Sequence, residues 1–455
     1  EWPSVARGSF DERHLRLPDE VLVTAMQSHQ RYFPVRAADG ALLPVFLYVA
    51  NGDPAAAPLV TRGNERVLDG RLDDAAFAYD RDLAEGLPAM AGRLAAVVFH
   101  EKLGSLADKA SRLGGLVAAL AGGEPDDPGG NGSGAPLAET LRSAARLAKA
   151  DLVSQTVIEF PVLQGVMGGL FAQAAGLGEA VSRAVGEHYR PLSGTAALPS
   201  TLPGALLAVA DKLDNIAGAW VAGEKPSGSR DPYGLRRAAM GVVRIALEYD
   251  LRFPFAGLLT AAVEQFELQG VDGLDAARRT AIVAETAAFV RERLQALLLD
   301  EGLPFPSVEA AMAAPVPDLP ALAARARAFT ALAGQAAFED AVIAYNRCAA
   351  LAAKDPAAGD RVVDPALFTD QAERELADAL EAARGPLLAS LDHLDLEAAV
   401  TAAAGLRSFV DRYFDAVLVM DPDDAVRANR LAQLAAVTGL IGRIGEFSRL
   451  PLGQS

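Results

Sequence analysis

From about residue 90 onward the apolar residues recur three and four positions apart almost without interruption, a spacing that selects helix over strand. Leu141, Ala145, Ala148 and Leu152 share one face, as do Leu206, Val209, Leu213, Ile216 and Trp220. Asp231-Pro232 reads as a helix start, with Asp as N-cap and Pro at the first position. Leu235, Ala239, Val242, Val243 and Ala246 form the apolar stripe behind it. Helices continue over 250–300, a proline-rich patch from Leu303 to Pro320 marks a connection, and 321–455 is helical again. The last helix repeats the start signal as Asp421-Pro422 and carries Leu434, Val437, Ile441 and Ile444. A run rich in Gly, Pro, Asp and Asn, Gly122 to Pro136, predicts a solvent loop. Only the first 85 or so residues depart from the helical period. There Arg31 to Val35, Asp39-Gly40 and Leu42 to Val49 read as a β-hairpin, and the charged stretch Arg62 to Asp82 reads as helix. The predicted fold class is mainly α and multi-domain, with a small N-terminal α/β portion.

At 455 residues the chain exceeds one core and predicts about three domains. Hydrophobic residues make up 51% and aromatics only 6%, so the cores are built from small-residue helix packing. The single Cys348 excludes an internal disulfide framework and fits a reducing cytoplasm. No apolar run approaches the ~20 residues of a membrane span, and no signal peptide opens the chain. It starts at Glu1 rather than Met, inside what reads as an ordered segment, so upstream sequence is expected. The net charge of −17 argues against a nonspecific polyanion binder. Screening nevertheless confines a charge to about 8–10 Å, so a local basic groove remains open.

Two local excesses of positive charge stand out. From Lys212 to Arg244 there are six basic residues (Lys212, Lys225, Arg230, Arg236, Arg237, Arg244) and three acidic ones (Asp214, Glu224, Asp231), net +3. Their Ser227-Gly-Ser229 loop ends at a helix N-terminus, a ready anion site, though without P-loop spacing. From Ala425 to Arg449, Arg427, Arg430, Arg443 and Arg449 face one Glu446, again net +3. Arg427 and Arg430 share a helix face with Asn429 beside them, and arginine binds phosphate and stacks on bases. On these residues alone, an ordinary solvated surface explains the first patch equally well and the second better.

A helical middle with scattered His100, Asp151, His188, Asp211 and Asp214 resembles the order of the HD metal-dependent phosphohydrolases. The chain has no His-Asp pair, however. Lys149-Ala-Asp151 stands in its place, and an ammonium offers a metal no lone pair. No metal site and no catalytic residue are therefore expected here.

Several stretches together resemble the beta subunit of bacterial two-subunit glycyl-tRNA synthetase. They are Ser28-His-Gln-Arg-Tyr-Phe-Pro-Val35, Gly63-Asn-Glu-Arg-Val-Leu68, His100-Glu-Lys-Leu-Gly-Ser-Leu106, Lys149-Ala-Asp-Leu152, Glu159-Phe-Pro-Val-Leu-Gln-Gly165 and Ala210-Asp-Lys-Leu-Asp214. The strongest is Lys225-Pro-Ser-Gly-Ser-Arg-Asp-Pro-Tyr-Gly-Leu-Arg-Arg-Ala-Ala239. Met420-Asp-Pro-Asp-Asp-Ala-Val-Arg-Ala-Asn-Arg-Leu431 is similar to an anticodon-binding helical domain. His100 departs from the pattern, which leads one to expect Gln, and Gln173 to Ala197 match loosely. The resemblance implies a truncated α/β portion over 1–88, a degenerate HD-type helical domain over 89–250, a helical connection over 251–320 and a DALR-like anticodon-binding domain over 321–455.

It further implies a cytoplasmic heterotetramer in which an alpha subunit uses ATP and Mg for chemistry while this chain, binding no cofactor itself, grips tRNA(Gly). Membrane and DNA are not expected partners. The implied tRNA contacts are Lys149, Lys212, Lys225, Ser227, Ser229, Arg230, Arg236 and Arg237 in the middle domain. In the anticodon domain they are Arg347, Arg407, Arg427, Asn429, Arg430 and Arg443.

Overall fold

The structure is a computed structural model and describes residues 3–122 and 134–451. These divide into two compact units, Glu1–Ile245 with Leu258–Val283, and Ala246–Gly257 with Ala284–Ser455. The α/β portion 1–88 thus shares a unit with nearly all of 89–250, whereas the 251–320 connection is divided between the two.

The first unit opens with strand β1 (Ser4–Ser9) and helix α1 (Asp19–Gln30), followed by β2 (Phe33–Arg36) and β3 (Leu42–Ala50). The sheet is antiparallel in the order β1-β3-β2, with Val5 opposite Val49 and Phe33 opposite Leu47. The hairpin foreseen from the turn residues is there, Gly40 supplying the positive φ between β2 and β3. Strand β1, absent from the sequence reading, adds to the far edge. Alternate β3 residues Leu42, Phe46 and Tyr48 are buried, and Tyr32 stacks on Phe46 at 4.5 Å. Helix α2 (Ala57–Glu85) contains the predicted charged stretch and packs on β1 and α1.

There follow α3 (Leu87–Arg93), a short hairpin of β4 (Val98–His100) and β5 (Gly104–Ser105), α4 (Leu106–Gly122) and α5 (Gly134–Leu147). Of the predicted solvent loop, residues 123–133 lie outside the described residues. Its end at Pro136 is already in the first turn of α5, where a proline's missing N–H costs nothing. Then come α6 (Gln155–Glu159), α7 (Val166–Ala174), α8 (Glu179–Glu187) and α9 (Leu202–Ala222). Thr201 caps α9, and the helix is buried on all sides from Gly204 to Trp220 except at Asn215, packing against α4, α5 and α8. The unit divisions fall inside α10 (Leu235–Glu248), α11 (Phe255–Leu268) and α12 (Ala276–Asp300).

The second unit contains α13 (Phe305–Met312), α14 (Leu319–Leu332), α15 (Ala336–Ala352), α16 (Gln371–Asp392), α17 (Leu396–Ala404), α18 (Arg407–Ala416) and α19 (Asp424–Ile441). The proline-rich patch is thus not all connection. Pro304 precedes α13, and Asp318 caps α14 by accepting from Ala321 N at 2.7 Å. Helix α15 lies against α17, α18 and α19, and Phe329, Phe338, Tyr345 and Phe447 form an aromatic cluster in the core. Among the described residues, no helix is long and apolar enough to cross a membrane.

Candidate nucleic-acid interface

Two features of the first unit draw on the residues singled out in the sequence. One is a buried ionic network centred on α9. Asp211 and Asp214 lie three apart on that helix, and α4 presents Lys109 and Arg112 at the same spacing. Lys109 Nζ donates to Asp214 Oδ2 at 2.7 Å and lies 3.0 Å from Asp211 Oδ1. Arg112, wholly buried, donates from Nε to Asp214 Oδ1 at 2.6 Å and from one Nη to Gln269 at 2.8 Å. Lys149 Nζ donates to Asp211 Oδ2 and to His188 Nε2, both at 2.9 Å, and sits 3.8 Å from the centre of the Tyr189 ring. His188 Nδ1 lies 2.6 Å from Val185 O, so the proton belongs on Nδ1 and Nε2 is the acceptor. Burial and the adjacent ammonium hold this histidine neutral, well below its ordinary pKa.

The Lys149 ammonium thus occupies the point between a histidine nitrogen and an aspartate oxygen where an HD-type metal would bind. That donor set does not fit a divalent ion, since the cation is already supplied by the chain. Among the described residues, no group of three or more His, Cys, Asp or Glu is placed to hold a metal. Asp151 turns away: its Oδ2 accepts from Gly165 N at 2.5 Å and Gly168 N at 3.0 Å. Gly165 takes φ +82°, a conformation that glycine adopts without strain.

Lys149 and Lys212 were expected to touch RNA, and the structure corrects both. Lys149 is sealed in the network, and Lys212, also buried, donates to Arg190 O at 2.6 Å. Burial draws each amine down to about 8, against the pull of Asp211. The ordinary lysine value of about 10.4 applies to the unfolded chain. Between these values the unfolded chain holds a proton that the folded chain has shed, so the lysine's effect on stability becomes more favourable as pH rises from 8 to 10. Lys149→Met should therefore flatten the rise. Denaturation midpoints of both proteins at pH 7.5, 8.5 and 9.5 check this, and parallel curves would refute it.

The other feature is the exposed loop between α9 and α10. Gly223 terminates α9 in the left-handed region. Ser227 and Arg230 exchange backbone hydrogen bonds at 3.1 and 2.8 Å, closing a tight turn. Asp231 accepts from Leu235 N at 2.8 Å and Arg236 N at 3.0 Å, and α10 starts at Leu235, three residues later than Asp231-Pro232 predicted. The anion site expected at this N-terminus is thereby filled by the chain's own carboxylate. Arg236 also folds back on the loop, donating to Gly228 O at 2.6 Å. Lys225, Ser227, Ser229, Arg230 and Arg237 are exposed. Beside them the Glu224 carboxylate lies next to the Tyr233 hydroxyl and 3.3 Å from His100 Nε2. Sequence reasoning passed over Tyr233, although it lies inside the strongest motif. It also missed Lys109 and Arg112, detectable as cations on the apolar stripe of Leu106, Leu113 and Leu116.

In the second unit the predicted contacts separate. Arg430 is buried and donates to Glu373 Oε1 at 2.9 Å, Asp421 Oδ2 at 2.7 Å, Thr369 Oγ1 at 2.7 Å and Leu418 O at 2.9 Å. Asn429, buried beside it, accepts from Asp364 N at 2.7 Å and donates to Asp364 O at 3.0 Å. Both are internal braces, which corrects their assignment to RNA. Arg427 is half-buried, paired with Asp424 and donating to Asp421 O at 2.7 Å. Arg347 and Arg407 share Asp411, Arg347 lying 4.7 Å above the Phe414 ring. Arg443 is exposed, and no ion pair joins it to another described residue. The Asp421-Pro422 start signal is again early, since Asp423 caps α19 through Ala425 N and Val426 N.

Comparison with known proteins bears on this arrangement. The family described as glycyl-tRNA synthetase beta subunit matches residues 1–313, and the DALR anticodon binding domain matches 342–444. The chain is 40% identical over 451 residues to the glycine–tRNA ligase beta subunit of Moorella thermoacetica, covering 99% of this chain and 63% of that protein. It is 38% identical over 450 residues to that of Desulforamulus reducens, with the same coverage. For Magnetococcus marinus the figure is 39% over 460 residues, 100% of this chain and 64% of the relative. The chain therefore spans just under two thirds of these relatives' length. A family match over most of the chain, with an anticodon-binding match following it, places this chain in the glycyl-tRNA synthetase beta subunit family.

Proposed function

We propose that this chain holds tRNA(Gly) for a partner alpha subunit in a cytoplasmic, heterotetrameric glycine–tRNA ligase. The alpha subunit would attach glycine to the tRNA 3′ end with ATP and Mg, while this chain carries no cofactor and no catalytic residue. The observation that carries the reading is the order of matches on one chain, beta subunit over 1–313 and anticodon binding over 342–444. The geometry favours it over an HD-type phosphohydrolase, because Lys149 fills the position that hydrolytic metal chemistry needs.

Cations at the surface support backbone contact in both units: exposed Lys225, Arg230 and Arg237 in the first, half-buried Arg427 and exposed Arg443 in the second. Phosphate contacts set register, and base contacts in the anticodon loop carry identity. The rate gain on the alpha subunit is then one of orientation, the terminal ribose being held where the activated glycine lies. Filter binding of the full chain to tRNA(Gly) and to an anticodon-substituted control tests this. Binding about tenfold tighter to the natural anticodon is expected, and equal weak binding to both overturns the anticodon role.

A further inference from the structure

We infer that Tyr233 is a stacking platform for one unpaired nucleotide of the RNA, with Arg230 and Arg237 on the adjoining phosphates. The inference rests on the reading of this chain as an RNA holder and names the part of the RNA that one loop takes. Tyr233 is 54% exposed, yet it is not a loose surface side chain. Its hydroxyl lies beside the Glu224 carboxylate, and Glu224 pairs with His100 Nε2 at 3.3 Å. His100 Nδ1 accepts from Lys102 N at 3.1 Å, which leaves the proton on Nε2 to face Glu224. A chain of contacts therefore runs from the backbone of the β4–β5 turn through His100 and Glu224 to the tyrosine. These contacts restrain the ring before any ligand arrives, so less side-chain freedom is lost on binding. The histidine ring lies 6.5 Å away at 67° to the tyrosine, and among the described residues no ring stacks parallel on Tyr233.

The charges around the ring are unspent. Arg230 lies close enough to act electrostatically on the Tyr233 hydroxyl. The Arg237 guanidinium lies against the next residue, Gly234 (φ +64°), where a Cβ would fall 2.7 Å from Nη2. Neither arginine forms an ion pair with another described residue, in a chain whose net charge is −17. Two unneutralised guanidinium groups beside a fixed, exposed aromatic match a nucleotide with its phosphates. Bases within a duplex are already stacked on both faces, so the occupant is an unpaired one.

Fluorescence anisotropy with the full chain tests this, using a labelled single-stranded hexaribonucleotide and the same strand annealed to its complement. Tyr233→Leu should weaken single-strand binding about tenfold, the factor of one lost stack, leaving duplex binding and the salt slope unchanged. Tyr233→Phe should stay within about threefold of the parent. Arg230→Ala and Arg237→Ala should each lower the salt slope by about 0.7. Unchanged single-strand affinity in Tyr233→Leu, or equal weakening for strand and duplex, overturns the stack alone and leaves the tRNA-holding reading standing. Loss of co-purification with the alpha subunit at unchanged RNA affinity would reassign the loop to a protein contact. A parent chain that binds neither these strands nor tRNA(Gly) overturns both readings.

Discussion

Asp214→Ala will destabilise the first unit by about 3–5 kcal/mol, the range found when one member of a buried ion pair is removed. The carboxylate receives Arg112 Nε at 2.6 Å and Lys109 Nζ at 2.7 Å, and all three side chains are almost wholly shielded from water. Without it Lys109 retains Asp211 and Asn215, whereas Arg112 keeps only neutral acceptors, the carbonyl of Leu103 and Gln269. A guanidinium left so is costly even with the Phe266 ring 4.4 Å from its carbon. Trp220, on the same helix, reports the transition by fluorescence in urea. Asp80→Ala is the control, because its bidentate pair with Arg16 lies half in solvent and such pairs contribute little. A loss at Asp214 no larger than at Asp80 would mean that the network is hydrated in solution, and the closed-pocket argument would fail with it.

The same network shows where the sequence was legible. Helix α9 could be read from Leu206, Val209, Leu213, Ile216 and Trp220, because its large apolar residues keep the helical spacing while Ala, Gly and polar residues fill most other positions. The β2–β3 hairpin was equally readable from Asp39-Gly40. Strand β1 was not: Ser4–Ser9 holds one large apolar residue, and its partner strand lies some 40 residues away. Charge was the poorest guide. Counting Lys149, Lys212 and Arg430 as surface cations assumed that charge implies solvent, whereas each finds its acceptors far along the chain. Lys149 meets Asp211 across 62 positions, and Arg430 meets Glu373 across 57. A better signal was present. Arg430 precedes Leu434 by four and Val437 by seven, which puts it on the apolar stripe already recognised for that helix. A cation on such a stripe calls for an internal partner, and the Asp370–Glu373 capping box of α16 supplies one. The loop behind Tyr233 failed differently. Its motif was recognised, but its rigidity depends on His100, over 120 positions earlier, and no local pattern carries that pairing.

Arg430→Ala and Arg427→Ala, three residues apart on α19, will separate fold from RNA contact. Arg430 reaches Glu373, Asp421, Thr369 and the carbonyl of Leu418 at once, joining the start of α16 to the turn before α19. Glu373 also accepts from the backbone N–H groups of Thr369 and Asp370, so its carboxyl stays below the usual range despite burial. Removing the guanidinium leaves that carboxylate buried without its cation, a loss of about 3–5 kcal/mol from the second unit. Arg430→Lys should recover only a minor part, since one ammonium cannot span the four acceptors. Amide hydrogen exchange along α16 and α19 measures the effect directly as faster opening. Arg427 makes one helical i, i+3 pair with the exposed Asp424 and one bond to a carbonyl, so Arg427→Ala should leave exchange unchanged. If Arg427 reaches a phosphate, the same substitution lowers the slope of log K against log salt by about one unit. Below its melting point Arg430→Ala should keep the parent's slope, since a sealed guanidinium releases no counterions from RNA. A slope change in Arg430→Ala with unaltered exchange would put that side chain in solvent and on the RNA after all.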